Sequence, residues 1–233
     1  MTRTLTINQN HLSYFAQLSK PKMSLLGNQQ HTIDALYDVF SEYRVELSSF
    51  QLEGTGSNPS SIGVNVNLGT FGFYKVKADR IEWLAENFGE EVIEKFPNIL
   101  QCGSEWLRSA LNISFKSHYF AYICHGRLSE GDAEQFLLTL PVTRLFGFGR
   151  SLGNGIIETW FDDTLGGTGK LWIDHSISIK GGLYVQLLIA IEGDEVDYFK
   201  VTKRGIDVFY GGLRSIGIEV EREVPFEDDK HDA

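Results

Sequence analysis

The chain reads as an α+β protein: internally duplicated antiparallel β-meander plus helix units, with the helices packed on one side of the sheet. Three observations predict that class. Apolar and polar residues alternate over short runs, as at Ile62, Val64, Val66 and Leu68. Glycine-rich turns such as Lys180-Gly-Gly182 separate the later runs. Phe73-Tyr74-Lys75-Val76 followed by Ile81-Glu82-Trp83-Leu84 is echoed by Tyr198-Phe199-Lys200-Val201 followed by Ile206-Asp207-Val208-Phe209. Val76 and Val201, like Ile81 and Ile206, stand 125 positions apart. A gapless match across a strand-to-helix junction predicts a duplicated supersecondary unit.

The elements follow in order. Residues 1–30 are polar and weakly periodic and read as an irregular N-terminal arm, with a short strand at Thr4–Ile7. A first α+β half covers 31–142. Thr32 is placed to cap a helix through Tyr43, with Ile33, Leu36, Tyr37 and Phe40 on one face. Strand runs at 45–49, 62–68 and 71–77 come next, and 54–61 is a loop by composition. Ile81, Leu84, Ala85 and Phe88 match helical spacing, which predicts a helix over 79–88 ended by Gly89. A short helix at 90–96 is expected to stop at Pro97, with another at 104–111. Residues 112–125 read as a long strand, and Ser129 to Asp132 as a cap for a helix reaching Leu140.

A glycine-rich connector, 143–155, separates this half from a second at 156–224. There, strands at 156–161, 170–179, 183–192 and 196–201 precede a helix capped by Thr202 and a final strand from Ile218. Residues 225–233 form an acidic tail expected to be disordered.

Composition bounds the function. Of 233 residues, 42% are hydrophobic and 22% charged, which suits a packed core. Net charge is −10, which disfavours phosphate backbones, so no nucleic-acid partner is expected. Lys75, Lys77, Arg80 and Lys200, Lys203, Arg204 are the densest basic groups, and both are small. Cys102 and Cys124 are too few for a disulfide framework. The N-terminus lacks a signal-like apolar stretch, and Leu183–Ile191 is too short to cross a bilayer. A soluble cytoplasmic protein with no membrane partner is the expectation.

Chemical motifs are incomplete. Gly149-Arg-Ser151-Leu-Gly153 matches G-x-S-x-G, but a loop and strand follow where a nucleophile elbow needs a helix. Gly166-Gly-Thr-Gly-Lys170 lacks the first glycine and the Ser/Thr of a phosphate loop. His118 and Cys124 share strand parity, with His125 opposite, yet no metal-ligand spacing is present. Glu158, Asp174 and Glu192 could line one sheet surface. No cofactor is expected.

The aromatic strand residues Phe71, Phe73, Tyr74, Trp160, Trp172, Tyr184, Tyr198 and Phe199 are the most distinctive feature. They pack a core, or they expose a sheet face as a binding surface. The reading that follows is a non-enzymatic, homodimeric protein-binding module that contacts an unidentified protein partner. Its candidate surface residues are Phe71, Phe73, Lys75, Ser151, Asp174, His175 and Lys200. The alternative is a small-molecule-binding protein or enzyme with a pocket between the two halves.

Overall fold

A computed structural model describes residues 2–27, 29–54, 62–140 and 155–221. The protein is α+β with an antiparallel sheet. Its strands are β1 (Arg3–Leu18), β2 (Phe50–Glu53), β3 (Gly63–Asn67), β4 (Phe73–Lys77), β5 (Arg80–Glu86), β6 (Phe115–Leu128), β7 (Ile156–Asp162), β8 (Gly167–His175), β9 (Leu183–Glu192) and β10 (Ile218–Val220). Hydrogen-bonded neighbours run β2-β3-β4-β5-β1-β6-β9-β8-β7, and β10 pairs in parallel with β1 through Arg3↔Ile218 and Leu5↔Val220. The helices are α1 (Ser24–Gly27), α2 (Gln29–Val39), α3 (Glu90–Leu111), α4 (Ala133–Thr139) and α5 (Tyr198–Ser215).

Two compact units divide the chain. Unit 1 takes Met1–His11, Ala121–Ile189 and Lys203–Ala233; unit 2 takes Leu12–Phe120 and Ala190–Thr202. Both are assembled from separated segments, so neither coincides with the sequential halves expected at 31–142 and 156–224. The expected connector falls almost wholly outside the described residues, and the acidic tail does so entirely.

In unit 2 the meander β2–β5 sets Val66, Tyr74 and Trp83 in one cross-strand row, and all three are buried. Helix α3 covers that row, with Phe96 4.7 Å from the Trp83 ring. Its buried stripe of Val92, Ile93, Phe96, Ile99, Leu100 and Leu107 drives the packing. Pro97 sits inside α3, where the missing N–H costs up to about 3 kcal/mol. Burial of this long apolar face outweighs that loss, so one 22-residue helix replaces the two short ones expected.

The segment 79–88 is also corrected. Ile81, Leu84, Ala85 and Phe88 fit a helix, but Ile81, Trp83 and Ala85 fit a period of two, and these three are the ones buried along β5. The tight reversal after Lys77 pairs Val76 with Ile81 and Tyr74 with Trp83, and that pairing decides for the strand.

The duplicated junction is not reproduced in structure. Phe73–Val76 and Ile81–Leu84 lie in strands β4 and β5, whereas Tyr198–Val201 and Ile206–Phe209 both lie in α5. The cap that starts α5 is Asp197, whose carboxylate accepts from the Lys200 N–H at 2.9 Å. The strand expected at 196–201 therefore gives way to a helix that begins before Thr202. The arm expected to be irregular is the 16-residue strand β1, with Leu12, Tyr14, Ala16 and Leu18 buried in alternation.

In unit 1, β7 and β8 pair from Ile156↔Ile173 to Asp162↔Gly167. The face carrying Leu171 and Ile173 meets α5, since the Leu171 side chain reaches Gly212. Phe209 of α5 packs on Tyr122 at 4.6 Å. Asp162 is buried, accepts from the N–H groups of Thr164 and Leu165, and pairs with Arg204 at 2.7 Å. The guanidinium and these N–H groups hold its carboxyl below the usual range against the opposing pull of burial.

Gly103 of α3 lies against the buried Tyr74 ring, and a Cβ there would overlap the phenol. Helix propensity alone favours alanine over glycine by about 1 kcal/mol. We expect the opposite sign here. Gly103→Ala should destabilise by about 1–3 kcal/mol, through overpacking, in denaturant titrations. A neutral or stabilising result would mean that Tyr74 is free to move aside.

Candidate functional site

Two clusters stand out, one in each unit. The first is a buried polar chain in unit 2. His118 of β6 is fully buried, and its Nε2 lies 3.2 Å from the main-chain oxygen of Asp194. A carbonyl only accepts, so Nε2 carries the proton and Nδ1 is an acceptor. Tyr14 of β1 therefore donates its hydroxyl to Nδ1, at 2.7 Å. Tyr198 at the start of α5 donates to Tyr14 at 3.2 Å, and Ser104 of α3 donates to Tyr198 at 2.6 Å. One polarity thus runs Ser104→Tyr198→Tyr14→His118→Asp194. Arg108 of α3 also donates to the Asp194 carbonyl, and the Phe115 N–H donates to the Asp194 carboxylate at 2.6 Å.

Electrostatics fix this chain in its neutral form. Burial, aided by the Arg108 charge, pushes the His118 imidazole down to about 4. Burial and the neighbouring Tyr198 phenol raise the Tyr14 hydroxyl well above its ordinary range. Each donor has a fixed acceptor, so the chain holds β1, β6, α3 and the start of α5 in register. The arrangement is structural: it orders hydroxyls that have no route to a charged state near neutral pH.

The second cluster lies on β8, β9 and β6 in unit 1, on the face opposite Leu171 and Ile173. Cross-strand pairing puts Ile157 beside Trp172, Thr159 beside Lys170 and Phe161 beside Thr168. Trp172 meets Tyr184 of β9 edge-on at 5.2 Å, and Tyr184 meets His125 of β6 at 5.2 Å. The Lys170 ammonium lies 5.6 Å from the Trp172 ring centre. Trp172, Tyr184, Lys170 and His125 are half-buried, while Ile157 and Phe161 are 57% and 64% exposed. The Tyr184 hydroxyl donates to Gln186 at 3.0 Å. His125 Nδ1 accepts from Ser176 at 2.8 Å, and burial lowers its pKa. Arg127 is exposed and shares strand parity with His125. The result is an aromatic row flanked by two cationic side chains.

The sequence-derived candidates are only partly gathered. Asp174 and His175 adjoin this row at the end of β8, with the His175 ring 3.1 Å from the Asp174 carboxylate. Phe71 is half-buried against Tyr43 at 5.4 Å in unit 2. Phe73 is 39% exposed beside it in sequence, at the start of β4. Lys75 is tied to Glu53 at 2.8 Å, and Lys200 lies in the first turn of α5. Ser151 lies outside the described residues. Glu158 pairs with Leu171 and so projects from the face opposite Asp174. Lys77 and Arg80 both pair with Glu82, which neutralises the first basic group. Among the described residues no group of three His, Cys, Asp or Glu side chains is placed to hold a metal. No described helix is long and apolar enough to cross a membrane.

Sequence reading missed Tyr14, Ser104 and Asp194. The alternation of Leu12, Tyr14, Ala16 and Leu18 was the available signal for the first. Nothing local marks the other two, whose roles come from tertiary contact.

No protein-family model matches the chain, and no curated protein matches it. Among solved structures it is similar to the rolling circle replication initiator protein from Geobacillus stearothermophilus. Identity is 10%, coverage is 90% of this chain and 84% of that one, and the TM-score is 0.32. The expectation of a non-enzymatic, homodimeric protein-binding module with no nucleic-acid partner is at odds with this neighbour, which is a replication protein. At that TM-score the likeness assigns neither a shared fold nor an activity. Of the aromatic strand residues, Tyr74 and Tyr198 are buried, and Lys75 is paired with Glu53.

The neutral state of His118 has a consequence for stability. Its folded pKa lies below its ordinary 6.5, so the unfolded chain binds the extra proton first. The stability that His118 contributes should be complete above about pH 6.5 and fall as pH drops toward 4, by up to about 3 kcal/mol. Denaturant titrations across that window, compared with His118→Gln, should show the steeper slope in the parent. Tyr14→Phe leaves Nδ1 without its donor and should cost about 1–3 kcal/mol at pH 7; a change under 0.5 kcal/mol would contradict the assigned polarity.

Proposed function

We propose that this protein binds single-stranded nucleic acid on the open face of β8, β9 and β6 in unit 1. The observation that carries the reading is the Trp172–Tyr184–His125 row with the Lys170 ammonium beside it. Aromatic rings on an open antiparallel sheet present flat apolar surfaces on which unpaired bases stack, at about 1–3 kcal/mol per base. Lys170 and Arg127 stand where a backbone running past those bases would bring phosphates. Duplex fits poorly, since its bases are stacked on each other and leave no free face for the rings.

Net charge shapes the expected behaviour. A chain at −10 repels polyanions at long range, so affinity must come from contact. With two cations at the platform, the slope of log K against log salt should be shallow, about −1.4 for a single strand. The two free thiols, Cys102 and Cys124, support placing the protein in the cytoplasm, where thiols stay reduced.

The test is fluorescence anisotropy with labelled oligo(dT) and oligo(U) at low salt. Trp172→Ala should weaken binding about 5- to 100-fold. Lys170→Ala should weaken it less and flatten the salt slope. Lys200→Ala, in the first turn of α5, should change nothing. Absence of binding by the parent protein, or equal binding by Trp172→Ala, would remove the proposal.

A further inference from the structure

We infer that Phe161 of β7 is a second stacking position for the strand held at Trp172, so that the ligand is an oligonucleotide several residues long and not a free nucleotide. The inference rests on the platform proposed above and extends it along the β7–β8 hairpin of unit 1. Phe161 is 64% exposed, more than any other Phe, Tyr or Trp among the described residues. It belongs to the open face. Phe161 pairs with Thr168, Thr159 with Lys170 and Ile157 with Trp172, and directly opposed residues share a face.

The neighbours of Phe161 hold its ring outward. Trp160 and Asp162 lie on either side of it in β7 and project to the opposite face by alternation. The Trp160 indole lies over Gly169, where a Cβ would overlap it. Asp162 is buried, accepts from the N–H groups of Thr164 and Leu165, and pairs with Arg204 at 2.7 Å. Both flanking residues are thus anchored on the side of the sheet that meets α5, and the ring between them faces the platform side.

Spacing sets the ligand length. Trp172, Lys170 and Thr168 follow one another along one face of β8, and Phe161 stands one strand over from Thr168. Four residues of strand and one interstrand step separate Trp172 from Phe161 by about 14 Å. Neighbouring bases of a stacked strand are about 3.4 Å apart, so the span takes about four stacked steps and fewer in an extended strand. A dinucleotide is too short to fill both positions, whereas a strand of five nucleotides fills them. Lys170 lies midway, its ammonium 5.6 Å from the Trp172 ring centre, beside the phosphates that join the two stacked bases. Arg204 is neutralised by Asp162, so Phe161 acts by stacking and not through a neighbouring charge.

The experiment is tryptophan-fluorescence titration of the full chain with oligo(dT) of two, five and eight nucleotides. Phe161→Ala should weaken binding of the eight-nucleotide strand about 5- to 100-fold and leave the dinucleotide within about two-fold of the parent. Phe161→Tyr keeps a flat ring and should bind both within about two-fold of the parent. Trp172→Ala should weaken binding at every length. Phe161 is exposed, so its variants should keep the parent's thermal midpoint. Parent affinity of Phe161→Ala for the eight-nucleotide strand, or an equal loss for the dinucleotide, would overturn the inference and leave the platform at Trp172 standing. No binding of any length by the parent would remove the platform and this inference together.

Discussion

The interaction on which unit 2 rests is a directional chain of buried hydrogen bonds that ties its helices to its sheet. Ser104, Tyr198, Tyr14 and His118 are drawn from α3, α5, β1 and β6, and each satisfies the next. The acceptor that fixes the whole direction is one main-chain carbonyl, at Asp194. Because a carbonyl cannot donate, the histidine tautomer, both phenol orientations and the serine rotor follow from it. An apolar core would tolerate small shifts of α3 over the sheet. A directional chain does not, since any slip leaves an unpaired group in a low-dielectric interior.

The same economy governs the sheet faces. Buried apolar rows take one side: Val66, Tyr74 and Trp83 under α3 in unit 2, Leu171 and Ile173 toward α5 in unit 1. Alternation then places every second side chain on the other side. In unit 2 the meander fills that side with ion pairs among Lys75, Glu53, Lys77, Arg80 and Glu82. In unit 1 the corresponding side chains are Trp172, Tyr184, His125, Lys170 and Gln186, which are aromatic or polar and only half-buried. The proposed function rests on this second set, whose rings are large, flat and flanked by positive charge.

Much of the fold class was legible in the chain. Strands β3, β4, β7 and β9 follow alternation and glycine turns closely, and Asp132 caps α4 within the expected capping run. The failures share one cause. Residues 79–88 satisfy two periodicities at once, and pairing with β4 settles the matter only in three dimensions. Pro97 signals a break locally, yet the apolar stripe on both sides of it wins. The repeat at 73–84 and 198–209 is a sequence likeness that the two contexts fold differently, because Asp197 caps a helix where the first copy continues a meander. For the sites, Trp172, Asp174 and His175 could be named from sequence, and their grouping with Tyr184 and His125 could not. That grouping depends on β9 lying between β8 and β6.

The measurement that tests the central claim most directly is ultraviolet cross-linking of the intact protein to oligo(dU), followed by mapping of the modified peptides. Stacking of bases on the open face of unit 1 should place the adducts on Trp172, Tyr184 or His125. Adducts confined to other segments, or none at concentrations where the oligonucleotide is bound, would contradict the account.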